Sequence, residues 1–298
     1  MNATPKTVAV LGPGGVGGFV GALLARAGHR VICLAGADTA GVLSRDGLSV
    51  TSARYGDFTV PVAAGTELTE PVDACLIAVK ETALEAACDR VPPDVLGSGT
   101  VVPFLNGIEH VARLRERYPA EQVAAATIMV ESTRVAPGRI EHTSPFAAMD
   151  LAGATVPGER LAATGELLAD SGMRVTVRED EEVMLWDKFA LLAPHALLAT
   201  RYGTPVGGLR TDRRAELRAV LDEITGVARV GGSAVEAEQV LAAFDRMPAG
   251  TKPSMLRDAE AGRPLELEAI GGALLRAAER YGVEVPLTSR IVAELRAR

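Results

Sequence analysis

Glycine spacing is the first chemical signal in this chain. In Thr7-Val-Ala-Val-Leu-Gly-Pro-Gly-Gly-Val-Gly-Gly18, Gly12, Gly14 and Gly17 fall in G-x-G-x-x-G register. Such a loop binds an anion, specifically a dinucleotide pyrophosphate, when a strand precedes it and a helix follows. Gly12 makes the tight turn, Gly14 lets the backbone approach the phosphates, and Gly17 lets helix and strand pack closely. The amides of Gly15, Val16 and Gly17 then face the ligand at the positive end of the helix. The remaining residues able to do chemistry are scattered: Lys80, Asn106, Lys188, Ser254 and Glu266.

The elements needed to position these groups are readable. Thr7 to Leu11 is a short apolar run that predicts a buried strand, and Phe19, Val20, Leu23 and Leu24 recur at helical spacing after the loop. Arg30 to Ala35 predicts the second strand. Its end is where such folds choose their cofactor: an acid bonds the ribose hydroxyl of NAD, an arginine the extra phosphate of NADP. Here Gly36 occupies that position. Asp38 comes two residues late and reads equally as a cap for a helix over Thr39 to Arg45. Residues 48–62 predict a hairpin turning at Tyr55-Gly-Asp57, on a sheet edge because of Pro61. Val72 to Val79 and Thr100 to Leu105 predict parallel strands that run out into Lys80 and into Asn106-Gly107. Ligands of open α/β sheets bind beyond such strand ends. The bland alternatives are a solvated lysine opening a helix over Glu81 to Arg90, and a turn asparagine.

Further strands are expected at Gln122 to Val130, Arg139 to His142, Phe146 to Leu151 and Met173 to Val177, with a helix over Gly158 to Asp170. Beyond Arg178 the strand pattern fades, and Ala, Leu, Glu and Arg dominate at helical spacing. The expected organisation is an α/β Rossmann-type dinucleotide-binding domain over residues 1–179 and an all-α domain over 180–298. In the second domain Lys188 flanks an apolar run, Phe189 to Ala199, and by pattern alone would carry its ammonium out to water. Ser254 reads as a cap for a helix starting at Met255, and Glu266 and Glu268 as complements to a helix dipole.

Composition narrows the function classes. The 298 residues carry a net charge of −7, which argues against binding nucleic acid by phosphate neutralisation. Hydrophobic content of 48% and charged content of 23% describe a globular chain. The apolar run at Phe189 is too short for a bilayer, so no membrane association is expected. The start, Met1-Asn-Ala-Thr-Pro-Lys6, has no leader character, and Cys33, Cys75 and Cys88 read as small apolar residues of a reducing compartment, the cytoplasm. No C-x-x-C or H-E-x-x-H pattern suggests a metal.

Taken together, the chain resembles the ketopantoate reductase (2-dehydropantoate 2-reductase) family. The resemblance runs from Gly12 to Gly272 and rests on Gly12-Pro-Gly-Gly-Val-Gly17, Val79-Lys80, Asn106-Gly107, Trp186-x-Lys188, Ser254-Met-Leu-Arg-Asp258 and Pro264-Leu-Glu266. It implies reduction of a small 2-keto acid, ketopantoate in the family, with NADPH as cofactor and NADH as the alternative. It implies that Lys188 is the general acid, that Ser254 and Glu266 hold substrate, and that Lys80 and Asn106 sit beside cofactor and substrate. The helical domain would carry substrate contacts and the surface of a homodimer. Two departures stand out. The family's asparagines one and two helical turns beyond the lysine are replaced by Leu192 and Ala196, and Gly36 stands where many members have an arginine. His195, a neighbour in sequence, points about 100° away from position 196 on a helix. A relative acting on a different 2-keto or 2-hydroxy acid, and a non-catalytic dinucleotide sensor, are the alternatives.

Overall fold

The computed structural model describes residues 4–298. Two compact units divide the chain: residues 1–105 with 110–181, and residues 106–109 with 182–298.

The first unit is built on a parallel sheet. β1 (Thr7–Leu11) leads through the glycine loop into α1 (Gly15–Arg26), then β2 (Arg30–Leu34) and α2 (Ala37–Asp46). β3 (Leu48–Ser52), β4 (Phe58–Val60), β5 (Ala63–Gly65) and β6 (Ala74–Ile77) follow. Next come α3 (Leu84–Cys88), α4 (Pro93–Leu96), β7 (Thr100–Pro103) and α5 (His110–Arg117). The five-stranded sheet has the order β5-β2-β1-β6-β7, and all its pairings are parallel. Residues 8–11 and 74–77 are buried throughout, as expected of strands covered on both faces. Phe19, Leu23 and Leu24 of α1 fill the core beside Val8 and Val10.

The rest of this unit is β8 (Ala125–Met129), β9 (Ser132–Ala136), β10 (Arg139–His142), β11 (Ala148–Ala152), α6 (Gly158–Ala169) and β12 (Arg174–Val177). They complete two smaller sheets, β4-β3-β10-β9 and β12-β11-β8. The hairpin β3–β4 thus has the edge strand that Pro61 implied, but in a second sheet. Strand β9 has no counterpart in the sequence reading, because Ser132-Thr-Arg-Val-Ala136 shows no buried alternation and lies mostly exposed.

The second unit is helical: α7 (Glu181–Tyr202), α8 (Val206–Thr211), α9 (Arg214–Val230), α10 (Ala237–Arg246), α11 (Ser254–Glu260), α12 (Ala273–Tyr281) and α13 (Pro286–Arg296). A π-helical stretch, Glu268–Gly272, runs into α12. Trp186, Phe189, Leu197, Leu221, Ile224, Phe244, Ile270 and Leu274 share one core.

Three local expectations are corrected. Gly36 is the N-cap of α2, and Asp38 stands inside the first turn. Likewise Pro253 is the N-cap of α11, so Ser254 is its first helical residue. The helix expected over Glu81 to Arg90 is a 3₁₀ turn, Glu81–Ala83, followed by the short α3. Among the described residues no helix is long and apolar enough to cross a membrane, and no cluster of His, Cys, Asp and Glu is able to hold a metal.

Candidate active site

The glycine loop of the first unit has the geometry of an anion cradle. Gly12 has φ +86°, a left-handed conformation that side chains rarely adopt, and its N–H donates to the Leu34 carbonyl at 3.1 Å. A Cβ on Gly17 would lie 2.4 Å from the Gly12 carbonyl oxygen and 2.8 Å from the Ala78 side chain, so the helix start packs directly on the strands. At Gly15 a Cβ would meet the Ser132 carbonyl at 2.3 Å, which gives that glycine a packing reason the sequence did not show. Gly14 differs from all three. The nearest atom to a Cβ there is 4.0 Å away, so nothing in the protein requires glycine at this position. The first turn bond runs from the Gly18 N–H to the Gly14 carbonyl at 2.9 Å, which leaves the amides of Gly15, Val16 and Gly17 ahead of the helical ladder. An open face at Gly14 beside those amides fits a dinucleotide pyrophosphate. At the end of β2, Gly36 also faces open space, with no atom within 4 Å of a built Cβ. Lys80 follows β6 as the N-cap of the 3₁₀ turn Glu81–Ala83 and is partly exposed.

The second unit gathers the other polar candidates. Asn106 belongs to it although its strand does not. The backbone reverses at Gly107, with φ +93°, and a Cβ there would sit 2.4 Å from the Ala269 carbonyl. That close seat on the π-helical stretch brings the Asn106 amide to Glu266, whose Oε2 accepts from Nδ2 at 3.2 Å. Arg276 adds a clamp, its guanidinium donating to the Glu109 carboxylate at 2.7 Å. Irregular π-helical turns recur at functional sites because they re-aim side chains.

Glu266 is only 6% exposed, a carboxylate that needs partners. Besides Asn106 it has the ammonium of Lys188 within electrostatic reach. Lys188 is half-buried, between the core and the water that the helix pattern pointed to. Burial lowers its pKa to about 8, and the Glu266 carboxylate opposes that fall. Ser254 is exposed at the start of α11.

Two groups that the sequence did not single out for this role hold the arrangement. Asp258 accepts from the Arg263 guanidinium at 2.8 Å, while the Arg263 N–H donates to the Asp258 carbonyl at 2.8 Å. This ties the helix carrying Ser254 to the turn that leads into Glu266. His195 is 7% exposed, with its ring edge-on to Phe244 at 5.6 Å. Burial lowers its pKa to about 4, opposed by a hydrogen bond to the Thr251 carbonyl, so the ring is neutral and braces the stretch before Ser254. Neither tie had a signal in spacing alone.

Family models decide what this assembly is. The model described as "Ketopantoate reductase PanE/ApbA" matches residues 8–152, and its C-terminal counterpart matches residues 182–298. The chain belongs to the ketopantoate reductase family. A 2-dehydropantoate 2-reductase of Caulobacter vibrioides is 29% identical over 98% of both chains. The crystal structure of 2-dehydropantoate 2-reductase from Methylococcus capsulatus aligns with TM-score 0.85 at 28% identity, covering 98% of this chain and 96% of that one. A D-mandelate dehydrogenase solved with NADH and anilino(oxo)acetate has TM-score 0.88 at 21% identity, covering 98% and 97%, a likeness of fold alone. As a ketopantoate reductase family member, the chain is an NAD(P)-dependent oxidoreductase with a Rossmann-type domain followed by a helical one.

Proposed function

We propose that this chain reduces a small 2-keto acid to the 2-hydroxy acid with NADPH, and that Lys188 is the general acid. The observation that carries the reading is the lysine within electrostatic reach of a buried, amide-bonded carboxylate in the helical unit. Bound NADPH supplies a hydride to the keto carbon. As the C–O π pair moves onto oxygen, Lys188 stabilises the developing charge and transfers its proton there. A general acid works best with a pKa near the working pH, and burial brings Lys188 to about 8 while Glu266 keeps the ammonium form populated. Ser254 bonds the substrate carboxylate, and Glu266 its distal hydroxyl. Asn106 holds Glu266 in place and lies beside the substrate, and Lys80, at its place in the family pattern, serves cofactor and substrate. Gly12, Gly14, Gly15, Val16 and Gly17 hold the pyrophosphate.

NADPH is favoured over NADH only modestly. No acid stands at Gly36 to repel the extra phosphate, but the guanidinium fork that makes such sites selective is missing. Ketopantoate is the substrate that the names of the relatives put first in the class. The test is NADPH oxidation, followed by absorbance, across a panel of 2-keto acids. Turnover of at least one member supports the proposal. Dinucleotide binding without turnover of any would leave a sensor in its place.

A further inference from the structure

Asn106 stands in a segment that no helix or strand fixes. Residues 106–109 belong to the second unit, while the strand before them and the helix after them belong to the first. Three contacts with the helical unit hold the segment instead. Gly107 is seated on the Ala269 carbonyl, and Ile108 packs against the helical core. Glu109 closes it, accepting from the Arg276 guanidinium of α12 through Nε at 2.9 Å and Nη2 at 2.7 Å, one bond to each carboxylate oxygen.

The same guanidinium reaches the other side of the cluster. Its Nη2 also donates to the Glu268 carbonyl at 3.0 Å, in the π-helical stretch just beyond Glu266. The Glu268 carboxylate is held in turn by Arg296 of α13, at 2.8 and 2.9 Å. Gly272 leaves the space in which the Glu268 carboxylate and the Arg276 guanidinium lie, since a Cβ there would run into both. Arg276 therefore grips both the segment that carries Asn106 and the stretch that follows Glu266. Both ends of the 3.2 Å bond between Asn106 and Glu266 are tied to one side chain.

Magnitudes separate a positioning role from a stabilising one. Arg276 and Glu109 are partly exposed, and ion pairs of that kind contribute little to stability even when bidentate. Geometry at a reacting centre is less forgiving: a distant change that misplaces a group by about 1 Å can cost about 10²-fold in rate. Loss of this pair should therefore be felt in turnover before it is felt in folding.

We infer that Arg276 and Glu109 are positioning residues for the reduction: their bidentate pair holds residues 106–109 on the helical unit and so keeps the Asn106 amide on Glu266. The inference rests on the reductase reading above, in which Asn106 and Glu266 meet the substrate.

Steady-state kinetics and thermal melts test it. Arg276→Met keeps the apolar stem and removes the fork. With NADPH and a 2-keto acid that the unmutated enzyme reduces, its kcat/KM should fall about tenfold or more, chiefly through KM, because groups that hold substrate are displaced while Lys188 is not. Its Tm should stay within about 4 °C of the unmutated protein. Glu109→Ala should give the same loss, and the double variant no more than either alone. In an Asn106→Ala background, Arg276→Met should cost less than about twofold, since the group it positions is already gone. A folded Arg276→Met enzyme with kcat/KM within about twofold of the unmutated value would overturn the inference and leave the reductase reading standing. A loss that persisted in full in the Asn106→Ala background would overturn it too, because Arg276 would then act by another route. Turnover of no 2-keto acid by the unmutated protein would remove the reductase reading itself, and the inference with it.

Discussion

Alanine substitutions at Gly14 and Gly17 separate ligand binding from folding in the glycine loop. At Gly14 a Cβ has no protein atom closer than 4.0 Å, so Gly14→Ala should fold and melt like the unmutated protein. Its methyl group would project over the amides proposed to receive the pyrophosphate. Losing that close approach should weaken NADPH binding at least tenfold, about 1.4 kcal/mol or more. At Gly17 the same methyl would lie 2.4 Å from the Gly12 carbonyl oxygen and 2.8 Å from the Ala78 Cβ. Backbone cannot yield cheaply there, so α1 must move off the strand. Overpacking of this kind costs about 1–3 kcal/mol, which lowers Tm by about 2–12 °C for a unit of this size. Titration calorimetry with NADPH and thermal melts on both variants read the two effects separately. Unchanged affinity in Gly14→Ala would refute the assignment of this loop to the cofactor. An unaltered Tm in Gly17→Ala would refute the packing argument.

Three further outcomes follow. If Lys188 is the general acid, as proposed, its protonated form is the active one, and kcat should be level below pH about 8 and fall as pH rises through that value. Glu266→Gln removes the carboxylate that holds the proton on, so the falling limb should move to lower pH; a limb that stayed in place would detach Glu266 from the acid. His142 is buried between Ser52 (2.9 Å) and Ser144 (3.1 Å), and Ser144 Oγ donates to the Phe146 carbonyl, so the imidazole gives its Nε2 proton to Ser144 and accepts at Nδ1. Burial lowers its pKa, so the unfolded chain takes up the proton first and stability is lost as pH falls below the ordinary histidine range. Thermal melts from pH about 7.5 to about 5 should show a smaller loss in His142→Gln than in the unmutated protein, and an equal loss would place the acid sensitivity elsewhere. Finally, Gly36→Arg should raise the NADPH-to-NADH ratio of kcat/KM by supplying the missing fork. An unmutated enzyme preferring NADH by more than a few-fold would point instead to Asp38 as the ribose partner.

Much of the first unit was legible because its signals are local. The strand Thr7–Leu11 and the strand Arg139–His142 coincide with apolar or alternating runs, and the tight turn at Gly12 and the close helix packing at Gly17 are what the spacing suggested. Caps were less legible. Asp38 and Ser254 are good cap types, yet Gly36 and Pro253 adopt the extended backbone one or two residues earlier and take the position. The polar cluster was legible as residues but not as a cluster. Asn106 and Glu266 are 160 positions apart, and only the turn at Gly107, seated on the π-helical stretch, brings them together. Lys188 shows the same limit. Its pattern predicted an ammonium in water, whereas tertiary packing half-buries the residue within electrostatic reach of a carboxylate whose distance in sequence no periodicity encodes.

The central claim is that Lys188 protonates the nascent alkoxide, and its most direct test is single-site removal with binding followed independently. Loss of a positioned general acid typically lowers the rate by about 10²–10⁴. Lys188→Ala, assayed with saturating NADPH and the best 2-keto acid found for the unmutated enzyme, should lose kcat in that range while keeping its NADPH affinity and Tm. A Lys188→Ala enzyme retaining more than about a tenth of the unmutated kcat would contradict the account and move the search for the acid to Lys80.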